Sequence, residues 1–167
     1  TRGTTKNPLF DAWIQAGVEA GYPATADMNG YRQEGMGRMD MTIHRGRRWS
    51  TARAYLRPVL GRPNLAVHTG CLATRILREH GRAFGVEYAE GGIVKQALAS
   101  REVILAGGAI NSPQLLMLSG IGPADELARV GVPAAHDLPG VGQNLQDHLE
   151  FYFQVESLEP VTLLEAM

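Results

Sequence analysis

The chain has 167 residues, with 44% hydrophobic and 20% charged residues, which is globular rather than disordered composition. Sixteen Lys+Arg against 17 Asp+Glu leave a net charge of -1, so no global field recruits nucleic acid or an anionic membrane surface. The single cysteine, Cys71, excludes an internal disulfide, no Cys/His cluster has metal-ligand spacing, and no apolar run approaches the roughly 18 residues of a membrane span.

No secretory leader is recognisable, and the chain begins at Thr1 and stops soon after an apolar stretch. The expectation is therefore an internal piece of a longer protein. Charge is unevenly spread. From Arg32 to Arg57 seven arginines face only Glu34 and Asp40, whereas from Asp125 onward eight acids face only Arg129. The arginine-rich stretch lacks stacking aromatics beyond Trp49 and Tyr55, so it reads as a solvated or docking face and not as a nucleic-acid surface.

In chain order, Pro8 to Ala20 reads as a helix, with proline in the first turn and Gly21 as the stop. Turn residues dominate from Gly21 to Gly37 and mark a long loop. Met39, Met41 and Ile43 alternate with polar neighbours and predict a half-buried strand, closed by a turn at Arg45-Gly46. Ser50 is a good N-cap for a short helix over 51–57 that ends at Pro58. Short strands come next over 65–67, 71–77, 84–88 and 93–98, separated by glycine turns, the pattern of an antiparallel meander.

Glu102 to Ala106 is almost wholly apolar, as expected of a parallel strand covered on both faces. It runs into Gly107-Gly108 and then Ser112-Pro113, read as the cap and first residue of a helix over 113–118. A second helix covers 123–130 and stops at Gly131, an irregular stretch spans 138–142, and a last strand alternates apolar Leu149, Phe151, Phe153 and Val155 with His148, Glu150, Tyr152 and Gln154. The fold class is therefore α/β with mixed α+β character.

Two features carry chemistry. A strand, a Gly-Gly turn and a helix start place backbone close to any ligand at the strand's carboxyl end, although the same glycines also suit a bare tight connection. The fingerprint GxGxxG is absent, and Gly120-Ile121-Gly122-Pro123 comes after a helix, not a strand. The second feature is the alternation at 148–152, which would put His148, Glu150 and Tyr152 on one face of a strand. A carboxylate beside an aromatic ring suits a quaternary ammonium, which has no N–H to donate and is held by charge and π faces. A solvated edge strand would show the same pattern.

The segment GGAINSPQLLMLSGIGPADEL, from Gly107, resembles the second signature of the glucose–methanol–choline family of flavin oxidoreductases, and DLPGVGQNLQDH, from Asp137 to His148, is similar to the next segment in that family. Residues 27–60 and 148–163 are most similar to the choline-oxidising members. The resemblance implies part of a doubly wound FAD-binding domain over 64–136, with the meander inserted before its last parallel strand. Residues 1–63 and 137–167 would then belong to the substrate domain. It implies FAD as cofactor, contacted by the backbone of Ala73 and by Ala106, Gly107 and Gly108, and places Glu150 against the trimethylammonium group of choline with His148 nearby. It also implies hydride transfer from choline to the flavin, giving betaine aldehyde on the way to glycine betaine, and electrons passed to a respiratory acceptor.

The matching catalytic base would lie in a C-terminal part outside this chain, so no catalytic residue is assigned here, and no metal. Location would be cytoplasmic or peripheral on the cytoplasmic or matrix face of the respiratory membrane. By itself the chain would be inactive. The alternatives are a dehydrogenase of another primary alcohol, which gives no reason for a carboxylate at Glu150, and a stand-alone binding module. His44, His68, His80 and His136 read as surface or packing histidines, Arg47, Arg48 and Trp49 as a solvated turn, Cys71 as a small buried hydrophobe, and Met36, Met39 and Met41 as core.

Overall fold

The structure is a computed structural model that describes residues 7–161, and the chain divides into two compact units, Thr1–Ala66 with Phe151–Met167, and Val67–Glu150.

In the first unit, helix α1 spans Pro8–Glu19, its start fixed by the Asn7 side chain accepting the Leu9 N–H at 2.9 Å. Gly21, at φ 94°, takes the left-handed conformation that ends the helix. The long loop after it is more ordered than its composition implies. Thr25 N–H donates to Met36 C=O at 2.9 Å and Met36 N–H to Pro23 C=O at 2.8 Å, a parallel bridge between the loop's two arms. Gly35 and Gly37 make that approach feasible, since a Cβ on either would stand 2.4 Å from the Pro23 or Thr25 carbonyl oxygen. Met36 packs against α1 where Gly17 leaves room. Arg38 anchors the same arm through Asp11 at 2.6 Å, its guanidinium over the Phe10 ring.

The strand expected from the Met39–Ile43 alternation shrinks to a two-residue hairpin, β1 (Ile43–His44) with β2 (Arg47–Arg48). Among the described residues its sheet holds only these two strands, and Met39 remains 71% exposed. Met39 and Met41 instead line an apolar hollow of about 570 Å³ with Phe10, Trp13 and Met28, so they are not core. The short helix at 51–57 is wider than expected: Ala52–Leu56 is a π-type turn, and Arg57–Val59 tightens into a 3-10 turn at Pro58. Ser50 keeps its capping role through the Arg53 N–H, at 3.4 Å.

The second unit is built on the expected meander. Strands β3 (Cys71–Glu79), β4 (Arg82–Glu90) and β5 (Ile93–Leu98) form one antiparallel sheet in that order. Two-residue turns join them, His80-Gly81 at φ 48° and 77° and Gly91-Gly92 at φ 58° and 82°. Positive φ at both positions gives the type I′ turn whose twist matches the flanking strands. Register shifts at Ala73/Arg75 and Leu77/Arg78 bend β3. Residues 65–67 form no strand.

Helix α2 spans Gly108–Leu118, starting five residues earlier than expected, with Pro113 inside it and Ser112 accepting the Gly107 N–H at 2.9 Å. Ser112 therefore holds the entry turn closed and does not cap the helix. β6 (Ile121–Gly122) pairs in parallel with β7 (His136–Asp137), just ahead of the stretch expected to be irregular, and α3 (Ala124–Arg129) lies between them in sequence. The Asp137 carboxylate accepts the Ala124 N–H at 3.0 Å, which explains why α3 begins there.

Two expected strands are not formed. Residues 102–106 and 148–155 carry no ladder among the described residues, and Ile104 and Leu149 are 77% and 83% exposed. A strand exists through the ladder it joins, and among the described residues neither run belongs to any of the three sheets. The core of this unit is small, with Ile76, Leu77, Leu127 and Val141 buried.

Candidate functional site

One cleft collects most of the residues expected to meet a cofactor. It has a volume of about 540 Å³ and lies in the second unit, between the first half of β3, the run 103–107 and the first turns of α2. Ala73 comes from one wall, Ala106 and Gly107 from the other, with Val86, Leu105 and Leu115 among the apolar lining and Asn111, Ser112 and Gln114 as its polar groups. An apolar trough with a few convergent polar groups is the usual form of a small-molecule site.

The sequence explains the shape. Ala73 and Ala106 leave the trough open because neither side chain reaches past Cβ. Gly107 is sterically tight, since a Cβ there would lie 3.2 Å from Asn111 Cβ, whereas Gly108 has open space around it but a φ of 86° that favours glycine. The Gly-Gly pair thus serves two different needs, a close approach and a backbone turn. Gly108 itself is not among the lining residues.

The two walls are tied by a residue that sequence reasoning missed. Ser119, at the end of α2 and only 8% exposed, accepts the Ile76 N–H through Oγ at 2.8 Å and donates to Leu115 C=O at 2.6 Å. One hydroxyl so fixes α2 on β3 and with it the width of the trough. The only signal in the sequence is a serine inside an otherwise apolar helix end, which also fits a plain C-terminal cap.

A second group of polar residues sits at the start of β3. Cys71 is paired across the ladder with Glu90, and Glu90 Oε2 lies 2.5 Å from Lys95 Nζ. Hydrogen bonding and the charge of Lys95 hold the Glu90 carboxyl below its ordinary range, and Glu90 in turn raises the Lys95 ammonium. Desolvation first, then the Glu90 charge, push the Cys71 thiol up. Cys71 is half-buried at the cleft rim, not the buried hydrophobe expected, because β3 begins at the edge of the sheet.

His148 and Glu150 stand apart from this cleft's lining, in a stretch without regular structure, where both are exposed. The two residues belong to no ladder among the described residues, so the shared strand face expected of them is not formed there. Asp147 Oδ1 accepts the His148 N–H at 2.8 Å and fixes the backbone there. Tyr152 is 86% exposed. His44 packs against Trp49 with ring centroids 4.8 Å apart, and His80 lies in a turn. Among the described residues no helix is long and apolar enough to cross a membrane.

Comparison with known proteins gives this geometry a setting. The chain is 59% identical over 166 residues to the mitochondrial choline dehydrogenase of Mus musculus, covering 99% of this chain and 28% of that protein. It is 57% identical over 162 residues to the oxygen-dependent choline dehydrogenase of Rhizobium meliloti (strain 1021), covering 97% and 29%. The chain thus spans less than a third of the length of these relatives. Among solved structures it is similar to pyridoxine 4-oxidase from Mesorbium loti, with a TM-score of 0.71 and 33% identity over 82% of this chain and 27% of that one. An FAD-dependent oxidoreductase from Chaetomium thermophilum matches with a TM-score of 0.70 and 35% identity, covering 84% and 25%. The family model described as GMC oxidoreductase matches residues 1–150. With nine-tenths of its length inside that match, and mixed helix and sheet in the arrangement of its flavoenzyme neighbours, the chain belongs to the GMC oxidoreductase family.

Proposed function

We propose that this chain forms part of an FAD-dependent choline dehydrogenase, which oxidises choline to betaine aldehyde. The observation that carries the reading is the 59% identity to a choline dehydrogenase along 99% of the chain. Residues 64–136 are assigned to the FAD-binding domain and residues 1–63 and 137–167 to the substrate domain.

The β3–α2 cleft fits the adenine-side part of FAD on its own chemistry. Its floor is apolar, its small side chains at Ala73 and Ala106 admit a flat heterocycle, and the Asn111, Ser112 and Gln114 side chains supply hydrogen-bonding groups at its edge. When bound, the flavin supplies the hydride acceptor for alcohol oxidation. Ala73 would lend backbone to the heterocycle, while Ala106, Gly107 and Gly108 allow close approach of the chain to the adjoining diphosphate. Ser119 would act on the cofactor only through the position of α2.

Glu150 would hold the quaternary ammonium of choline by charge, with Tyr152 adding a π face and His148 beside it. A neutral alcohol gains nothing from a carboxylate at that place, which separates choline from other primary alcohols as substrate. The proton acceptor for the hydroxyl is assigned to residues outside this chain. Electrons are proposed to leave to a respiratory acceptor, with the enzyme cytoplasmic or peripheral at the cytoplasmic or matrix face of the membrane.

The test is dye reduction by the full-length protein, comparing choline with its neutral isostere 3,3-dimethylbutanol. The expected result is a preference for choline of about tenfold or more that collapses in Glu150→Gln, since one charge–π or ion-pair contact is worth about 1–2 kcal/mol or more when desolvated. Equal turnover of the two alcohols by the unaltered protein would remove choline as substrate.

A further inference from the structure

His68, Cys71 and Glu90 bring an imidazole, a thiol and a carboxylate to one place, with their ligand atoms all within 4.8 Å of one another. The flavin and choline assignments make no use of the three together. Backbone geometry creates the cluster. Cys71 and Glu90 are directly opposite in the β3–β4 ladder, so their side chains leave the same face of the sheet. Gly70, at φ 70°, turns the chain just before β3 and returns His68 toward that pair. Cys71 and Glu90 lie 19 positions apart in sequence, which is why spacing gave no sign of the cluster.

Mixed nitrogen, sulfur and oxygen donors match the ligand set of Zn²⁺ and similar borderline ions, whereas Ca²⁺ and Mg²⁺ take oxygen alone. Tetrahedral bonds of about 2.0–2.3 Å place ligand atoms about 3.3–3.8 Å apart, so closure requires movement of about 1 Å. His68 is exposed and can swing inward, while Cys71 and Glu90 are half-buried on the sheet. Glu90 already attracts a cation, the Lys95 ammonium on Oε2. An ionised carboxylate has two oxygens and about four lone-pair sites, so Lys95 and a metal can share it. The Cys71 thiol donates to Thr69 C=O at 3.6 Å and the His68 ring lies 6.4 Å from that of Tyr88, contacts that leave both within reach of the same carboxylate.

We infer that His68, Cys71 and Glu90 form a binding site for a single Zn²⁺-type ion at the rim of the β3–α2 cleft, with water completing the coordination. The full-length protein, stripped of metal with a chelator and dialysed, is titrated with Zn²⁺ by calorimetry and with Co²⁺ by its thiolate-to-metal charge-transfer absorption. One site per chain is expected to show that band and lose it in Cys71→Ser. Affinity should fall at least about tenfold in His68→Ala and rise severalfold in Lys95→Met, where the competing ammonium is gone. The circular dichroism of each variant separates loss of fold from loss of a ligand. If Cys71→Ser does not fold, the two surface variants decide. No sulfur band with Co²⁺, or affinities unchanged in His68→Ala and Lys95→Met, would overturn the assignment.

Discussion

At the scale of single residues, Ser119 has the largest consequence for its size. Its hydroxyl joins Ile76 N–H on β3 to Leu115 C=O on α2, in a place that is almost fully buried. Removing it leaves a buried backbone donor without that acceptor, a loss of about 1–3 kcal/mol. Ser119→Ala in the full-length protein should therefore lower the urea midpoint by a corresponding amount, and it should loosen flavin retention because the trough's two walls are no longer pinned. An unchanged midpoint would mean that the bridge contributes nothing. Gly35 and Gly37 show a different kind of residue effect. Their role lies in the absence of a Cβ that would press on a facing carbonyl, which no inspection of the sequence reveals.

Among the elements, the hairpins arise most directly from sequence. Glycine at the second turn position in Arg45-Gly46, His80-Gly81 and Gly91-Gly92 gives three two-residue turns with positive φ at both positions. At Gly92, with φ 82°, nothing lies within 4 Å of the place a Cβ would take, so substitution there meets strain of backbone alone. Gly92→Ala should cost about 1–2 kcal/mol, read as a lower thermal midpoint of the full-length protein with its secondary structure retained. No change would mean the β4–β5 turn tolerates another type. The meander, α1 and the family signature were legible because each depends on local chemistry: turn glycines, a proline-led helix start, and an unbroken motif from Gly107 to Leu127. The strands at 102–106 and 148–155 were not, since an apolar run or an apolar–polar alternation states only that a segment can pair. Whether it does depends on a neighbour distant in sequence. Pro113 misled for a related reason, as proline fits the first helical position so well that its placement inside α2 could not be told from pattern.

At the scale of the whole molecule, the chain is proposed to make two separate contributions to its parent enzyme, a cofactor trough in the Val67–Glu150 unit and a cation-binding carboxylate at Glu150. The trough was half legible. Ala73, Ala106 and Gly107 came from the family resemblance and meet in one cleft, while the facing polar groups of α2 and the Ser119 tie became visible only once helix and sheet were placed together. The His68–Cys71–Glu90 cluster was hidden for the same reason, since cross-strand register and not sequence spacing assembles it. The central claim, that the β3–α2 cleft holds the adenine side of the flavin, is tested most directly by the flavin content of the purified full-length protein bearing Ala106→Leu. A leucine in the trough should occupy the heterocycle's place and reduce bound FAD at least about tenfold, the effect of overpacking by about 1–3 kcal/mol, with circular dichroism unchanged. Full FAD occupancy in Ala106→Leu would contradict it and place the cofactor elsewhere.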